Sequence, residues 1–177
     1  MGRSPADTVH SVLQYPEIAL PGCYPEKWGS LVRREDDDSG EIYEWFKLNL
    51  YPHLQDTELG RKYPPRTPHV SEEICRKLVV DFLSAMKKNF DQILRGRFGP
   101  LVSSSLAIEY IITVPAIWTD RGKDITRRCA VEAGMGSENA MKIIKEPEAA
   151  GIWALQSMRD IHLQVNDTFV LCDAGGG

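Results

Sequence analysis

The last seven residues, Leu171–Gly177 (LCDAGGG), carry the groups in this chain best suited to chemistry. The apolar run Thr168–Cys172 leads into a carboxylate, Asp173, and then into Gly175, Gly176 and Gly177. A strand that ends in a carboxylate, followed by backbone without side chains, suits a phosphate and its metal. Glycine lets backbone N–H groups come close to phosphate oxygens and permits positive φ. A carboxylate can hold Mg²⁺ directly or through water. The same glycines read equally well as a tail, so the motif has to be weighed against the other segments.

A second carboxylate pair stands at Glu146-Pro147-Glu148, after the short apolar strand Met141–Lys145 (MKIIK). Pro147 fits the first turn of a helix, where its missing N–H costs nothing, and that helix extends to about Arg159. Upstream, Ala107–Val114 (AIEYIITV) is rich in β-branched and aromatic residues and reads as a strand. Thr119 or Asp120 can cap a helix that continues through Ala133 and ends at Gly134. With Thr168–Cys172 as a third strand, the pattern is β-α-β-α-β, an α/β fold with a parallel sheet and right-handed crossovers. Ligands of such sheets bind outside the carboxyl ends of the strands. Those ends carry Pro115-Ala116, then Glu146-Pro147-Glu148, then Asp173 and its glycines. Two carboxylates at adjacent tips suit Mg²⁺-phosphate chemistry, one positioning water and one helping to hold the metal. Glu146 reads also as a helix-terminal carboxylate stabilised by the dipole, and charge placement alone does not separate the two readings.

The chain has two parts: residues 1–69, broken up by prolines, and residues 70–177, a helix followed by the βαβαβ segment. In the first part Val9–Leu13 and Leu31–Arg34 have short-strand character, and the acidic run Asp36–Asp38 reads as a solvated loop. Glu41–Leu50 (EIYEWFKLNL) has helical spacing through Ile42, Trp45, Phe46 and Leu50. Val70–Arg95 is the clearest helix. Ser71 is its N-cap, Glu72 and Glu73 suit its positive end, and Ile74, Leu78, Phe82, Met86 and Phe90 form one stripe.

Composition bounds the function. A chain of 177 residues with 42% hydrophobic and 26% charged residues can build a core. Its net charge of −4 and scattered basic pairs argue against a nucleic-acid partner. No stretch has the length of a membrane span, and there is no signal-peptide pattern, so no membrane partner and a cytoplasmic location are expected. None of the cysteines makes a CxxC; Cys75, Cys129 and Cys172 read as small buried hydrophobes. The histidines form no metal or acid–base pattern.

Three segments in this order resemble the ATPase domain of the 70-kDa heat-shock (DnaK-like) chaperones of the actin-like ATPase superfamily. They are residues 111–135 with Val-Pro-Ala, residues 142–155 with Glu-Pro-Glu-Ala-Ala, and residues 169–177 with Asp-Ala-Gly-Gly-Gly. The likeness covers residues 107–177 most closely and extends more loosely over 41–95, where EWFKLNLY is similar to the divergent branch of large heat-shock-like proteins. It implies the first lobe of an actin-like (ribonuclease H-like) ATPase domain that binds ATP or ADP with Mg²⁺. It also implies catalytic roles for Lys47 (near the γ-phosphate), Glu146 (hydrolytic water and metal) and Asp173 (metal), with Gly175, Gly176 and Gly177 facing phosphate. Thr113 and Pro115 match structural positions at a strand tip. Lys47 reads equally as a solvated residue of an amphipathic helix.

The family's first phosphate loop, Asp-x-Gly-Thr-Thr, has no match in residues 1–40, and the likeness covers less than half of the family's domain. The expectation is therefore an incomplete lobe that turns over little ATP by itself, with an exposed parallel edge that makes it poorly soluble or reliant on a partner. The partners expected are a nucleotide and other proteins. Two alternatives stay open: a non-catalytic protein-interaction module, and a fragment of a sugar or acetate kinase of the same superfamily.

Overall fold

The computed structural model describes residues 9–16, 23–32, 41–50, 70–157 and 166–172. The N-terminal part, expected to be largely irregular, contains an antiparallel sheet. Strand β1 (Val12–Gln14) lies between β2 (Lys27–Trp28) and β3 (Ile42–Glu44), with Leu13 opposite both Trp28 and Tyr43. All of β1 is buried. The strand expected at Val9–Leu13 is thus shifted towards Gln14, and Leu31 lies in the 3₁₀ turn Gly29–Leu31 rather than in a strand. Arg33 and Arg34 lie outside the described residues.

Glu41–Leu50 is not a helix. Its first half is β3, and its second half, Phe46–Leu50, is a 3₁₀ turn. Between them Trp45 has φ of 56°, in the left-handed region that a right-handed helix excludes. The backbone also has competing partners here. The Tyr15 N–H donates to Glu41 O (3.0 Å) and the Trp45 N–H to Ser11 O (3.2 Å).

Helix α1 (Glu72–Phe98) follows the reading of its cap: the Ser71 hydroxyl accepts from the Ile74 N–H at 3.2 Å. The helix passes Gly96 and stops at Gly99 (φ 80°), where Pro100 opens the short α2 (Pro100–Ser105). Its stripe is only half covered. Leu78 and Phe82 are buried, whereas Ile74, Met86 and Phe90 are exposed. At about 1.5 Å per residue the helix is about 40 Å long, more than the rest of the core can cover.

Strand β4 (Tyr110–Val114) pairs in parallel with β5 (Met141–Lys145), from Tyr110 opposite Met141 to Val114 opposite Lys145. Between them α3 (Asp120–Glu132) ends at Gly134, whose φ of 80° favours glycine. Helix α4 (Glu146–Ser157) starts directly at the end of β5. The parallel order and the crossover helix α3 agree with the sequence reading, and α4 begins where a helix was expected.

The third strand does not form. Residues 167–172 have no strand conformation, Val170 is 92% exposed, and Cys172 is exposed rather than buried. Phe169 comes near Gly151 of α4, and no ladder bond ties the segment to β4 or β5. The described sheet is therefore βαβ followed by a helix, not βαβαβ. An apolar β-branched run is a strand only where another strand pairs with it.

One core joins the two sheets. Leu13, Phe46, Leu50, Cys75, Leu78, Phe82, Val114, Trp118, Ile125 and Cys129 form a single buried cluster. The Phe82 ring lies edge-on to Trp28 (5.9 Å) and Phe46 (5.8 Å).

Candidate functional site

Lys47 reaches the site through the 3₁₀ turn, and that turn is fixed from below. Phe46 is 2% exposed, and its carbonyl accepts from the Cys75 thiol at 3.0 Å. Burial pushes the Cys75 thiol up to about 12 and also raises Cys129, so both are inert packing groups. With Phe46 anchored, the next side chain leaves the core towards the tips of β4 and β5.

There Lys47 Nζ donates to Glu146 Oε1 at 2.9 Å, between residues 99 positions apart in sequence. Glu146 is the first residue of α4, so it stands both at the tip of β5 and at the positive end of a helix dipole. Both partners are half-exposed. The pair is open to solvent and to an incoming anion, and an exposed pair of this kind contributes little stability.

The end of β4 supplies a third group. Pro115 to Trp118 forms a turn, closed by the Trp118 N–H on Pro115 O at 3.1 Å. Trp118 is 4% exposed, and Lys47 Nζ lies over its ring at 5.7 Å from the centroid. That is within the range of a cation–π contact. Gly122 of α3 makes room for the ring: a Cβ there would lie 3.3 Å from Trp118 Cε3. The sequence reading did not single out Trp118. Its signal was positional, an aromatic residue between a strand tip and the start of a helix.

Acidic neighbours are partly engaged. The Lys145 N–H donates to Glu148 Oε2 at 3.4 Å. The hydrogen bond from Lys123, with that lysine's charge, holds the Asp120 carboxyl below its usual range, and the charge of Lys145 adds to this.

Of the residues expected to act together, the structure joins Lys47 and Glu146 and adds Trp118. Asp173, Gly175, Gly176 and Gly177 lie outside the described residues. Among the described residues no group of three or more His, Cys, Asp or Glu could hold a metal ion. Glu146 offers a single carboxylate, with Oε1 already accepting from Lys47, and a hydrated Mg²⁺ would need other ligands. Two shallow concavities, along Ser84–Arg95 of α1 and beside Glu72, Arg76 and Glu132, do not reach this site. No helix among the described residues is long and apolar enough to cross a membrane.

A heat shock protein homolog from Encephalitozoon cuniculi is 24% identical to this chain over 162 residues. The likeness is to a heat-shock-like protein. The match takes in 83% of this chain but 23% of the relative, so the chain spans about a quarter of that protein's length. No protein-family profile matches the chain. No solved structure matches it either.

Proposed function

We propose that this chain is part of the nucleotide-binding domain of a heat-shock-like ATPase, and that Lys47 and Glu146 face the terminal phosphate of ATP. The ion pair between them carries the reading. The residues that the sequence resemblance marks for the γ-phosphate and the hydrolytic water lie just after strands of two different sheets and meet at 2.9 Å. The similarity to a heat shock protein homolog points the same way.

In this reading the Lys47 ammonium neutralises a phosphate oxygen, and Glu146 accepts a hydrogen bond from water at the end of β5. Asp173 is assigned to the Mg²⁺ and Gly175, Gly176 and Gly177 to the phosphates. Mg²⁺, when bound, neutralises phosphate charge. Phosphoryl transfer rests on positioning and electrostatics. The described residues bring together one ammonium and one carboxylate, so binding with little turnover is expected of this chain alone.

A calorimetric titration with Mg-ATP tests the proposal. Saturable binding should weaken by about tenfold or more in Lys47→Ala, as expected for a charge-assisted phosphate contact. A folded chain that takes up no Mg-ATP overturns it. The second reading, a non-catalytic interaction module, is favoured by the uncovered stripe at Met86, Phe90 and Ile93. It would gain from that negative result.

A further inference from the structure

We infer that Trp118 is the positioning residue of this site, its ring keeping the Lys47 ammonium in place while that ammonium exchanges Glu146 for a phosphate group. The inference rests on the nucleotide reading for its ligand, but the ring contact itself does not depend on it.

Three observations carry the inference. First, the ammonium has two partners of different kinds: a carboxylate at 2.9 Å and an aromatic face at 5.7 Å. An anion can displace the carboxylate, because both are acceptors competing for the same N–H donors. It cannot replace the ring, which attracts the cation through its quadrupole and leaves N–H groups free to donate. Second, the two partners differ in burial. Trp118 is 4% exposed, held by its turn and packed against Gly122, whereas the Glu146 side chain is 40% exposed. The buried partner positions and the exposed partner yields. Third, Lys47 has a flexible stem that would otherwise lose rotamer freedom on binding. A ring that already restricts the stem lowers that cost.

Glu146 then holds the place beside the ammonium that a phosphate takes on exchange. On exchange its carboxylate is released to accept from water, which is the role the proposed function gives it. The ligand class is an oligophosphate.

The test uses the full chain with its lysines dimethylated with ¹³C, the Lys47 signal being assigned with Lys47→Arg. Without ligand, the Lys47 methyl resonance should be shifted by the Trp118 ring current. The shift should vanish in Trp118→Leu and persist in part in Trp118→Phe. Metal-free tripolyphosphate should bind about fivefold more weakly to Trp118→Leu than to the wild type, with partial rescue by phenylalanine, as a cation–π contact of ordinary strength predicts. It should bind about threefold more tightly to Glu146→Gln, because the competing carboxylate is gone. Tripolyphosphate binding with these responses but no uptake of ATP would defeat the nucleotide reading and support the exchange. An unshifted Lys47 resonance overturns the inference. So does no tripolyphosphate binding, equal affinity in wild type and Trp118→Leu, or weaker binding in Glu146→Gln.

Discussion

The segments that follow the two sheets each bring one half of the Lys47–Glu146 pair, and the sheets are built differently. Sheet β2-β1-β3 consists of strands of three residues or fewer, held by side chains from α1. The Tyr15 hydroxyl donates to the buried Asp81 carboxylate, which also accepts from Lys77, and Lys77 Nζ lies 5.1 Å from the Tyr15 ring centroid. Burial, then the bond to Asp81, holds the Tyr15 phenol well above its ordinary range. Sheet β4-β5 has five residues in each strand and a helix directly following β5. The first sheet rests on contacts distant in sequence, the second on a contiguous βαβ unit. The Lys47 side of the site should therefore be the easier to displace.

The strongest way to break this contrast is Phe46→Ala. It removes a buried ring from the cluster that joins the sheets and should cost about 3–5 kcal/mol in urea denaturation. It should also release the turn that carries Lys47. Next is Asp81→Ala, which leaves the Tyr15 hydroxyl without its acceptor, at a cost of about 2 kcal/mol. Hydrogen exchange sharpens the comparison here: the amides of Val12–Gln14 should exchange faster while those of Tyr110–Val114 keep their protection. Equal loss in both sheets would show that they unfold as one unit.

A pH series probes the junction. Folded Cys75 keeps its proton up to about 12, whereas an exposed thiol loses it near about 8.5. Between these values the unfolded state binds fewer protons, so stability falls as pH rises. The loss from about pH 8 to about pH 10 should be about 2 kcal/mol for this thiol, and Cys75→Ala should flatten the slope. The smallest effect is expected from Glu146→Gln, below about 1 kcal/mol, because the pair it breaks is half-exposed. A larger loss would mean that the pair holds the sheets together.

Much of the parallel unit was legible. Met141–Lys145 was read with its observed bounds, and Ser71, Gly134 and Pro147 marked helix ends by local backbone chemistry. What depended on distant partners was not legible. The spacing of Ile42, Trp45, Phe46 and Leu50 is helical, but the backbone around Glu41 and Trp45 is taken by β1 and its flanks. Thr168–Cys172 has the composition of a strand and, among the described residues, no strand beside it. The stripe of α1 announced a helix, but not that cover would end near Phe82. Glu146 was marked by its place at a strand tip and by resemblance, Lys47 by resemblance alone; their meeting is a fact of the fold that no spacing of 99 residues could convey. Trp118 carries no charge and no reactive group, so a search for reactive groups passes over it.

No residue separates β5 from α4: Lys145 ends one and Glu146 begins the other. That junction acts as a ruler. Adding or deleting one residue within Met141–Lys145 would turn Glu146 to the opposite face of the sheet, since side chains alternate along a strand. A slack loop would absorb such a change, and this junction has none. The segment should accept substitutions at its exposed positions far more readily than any change in its length.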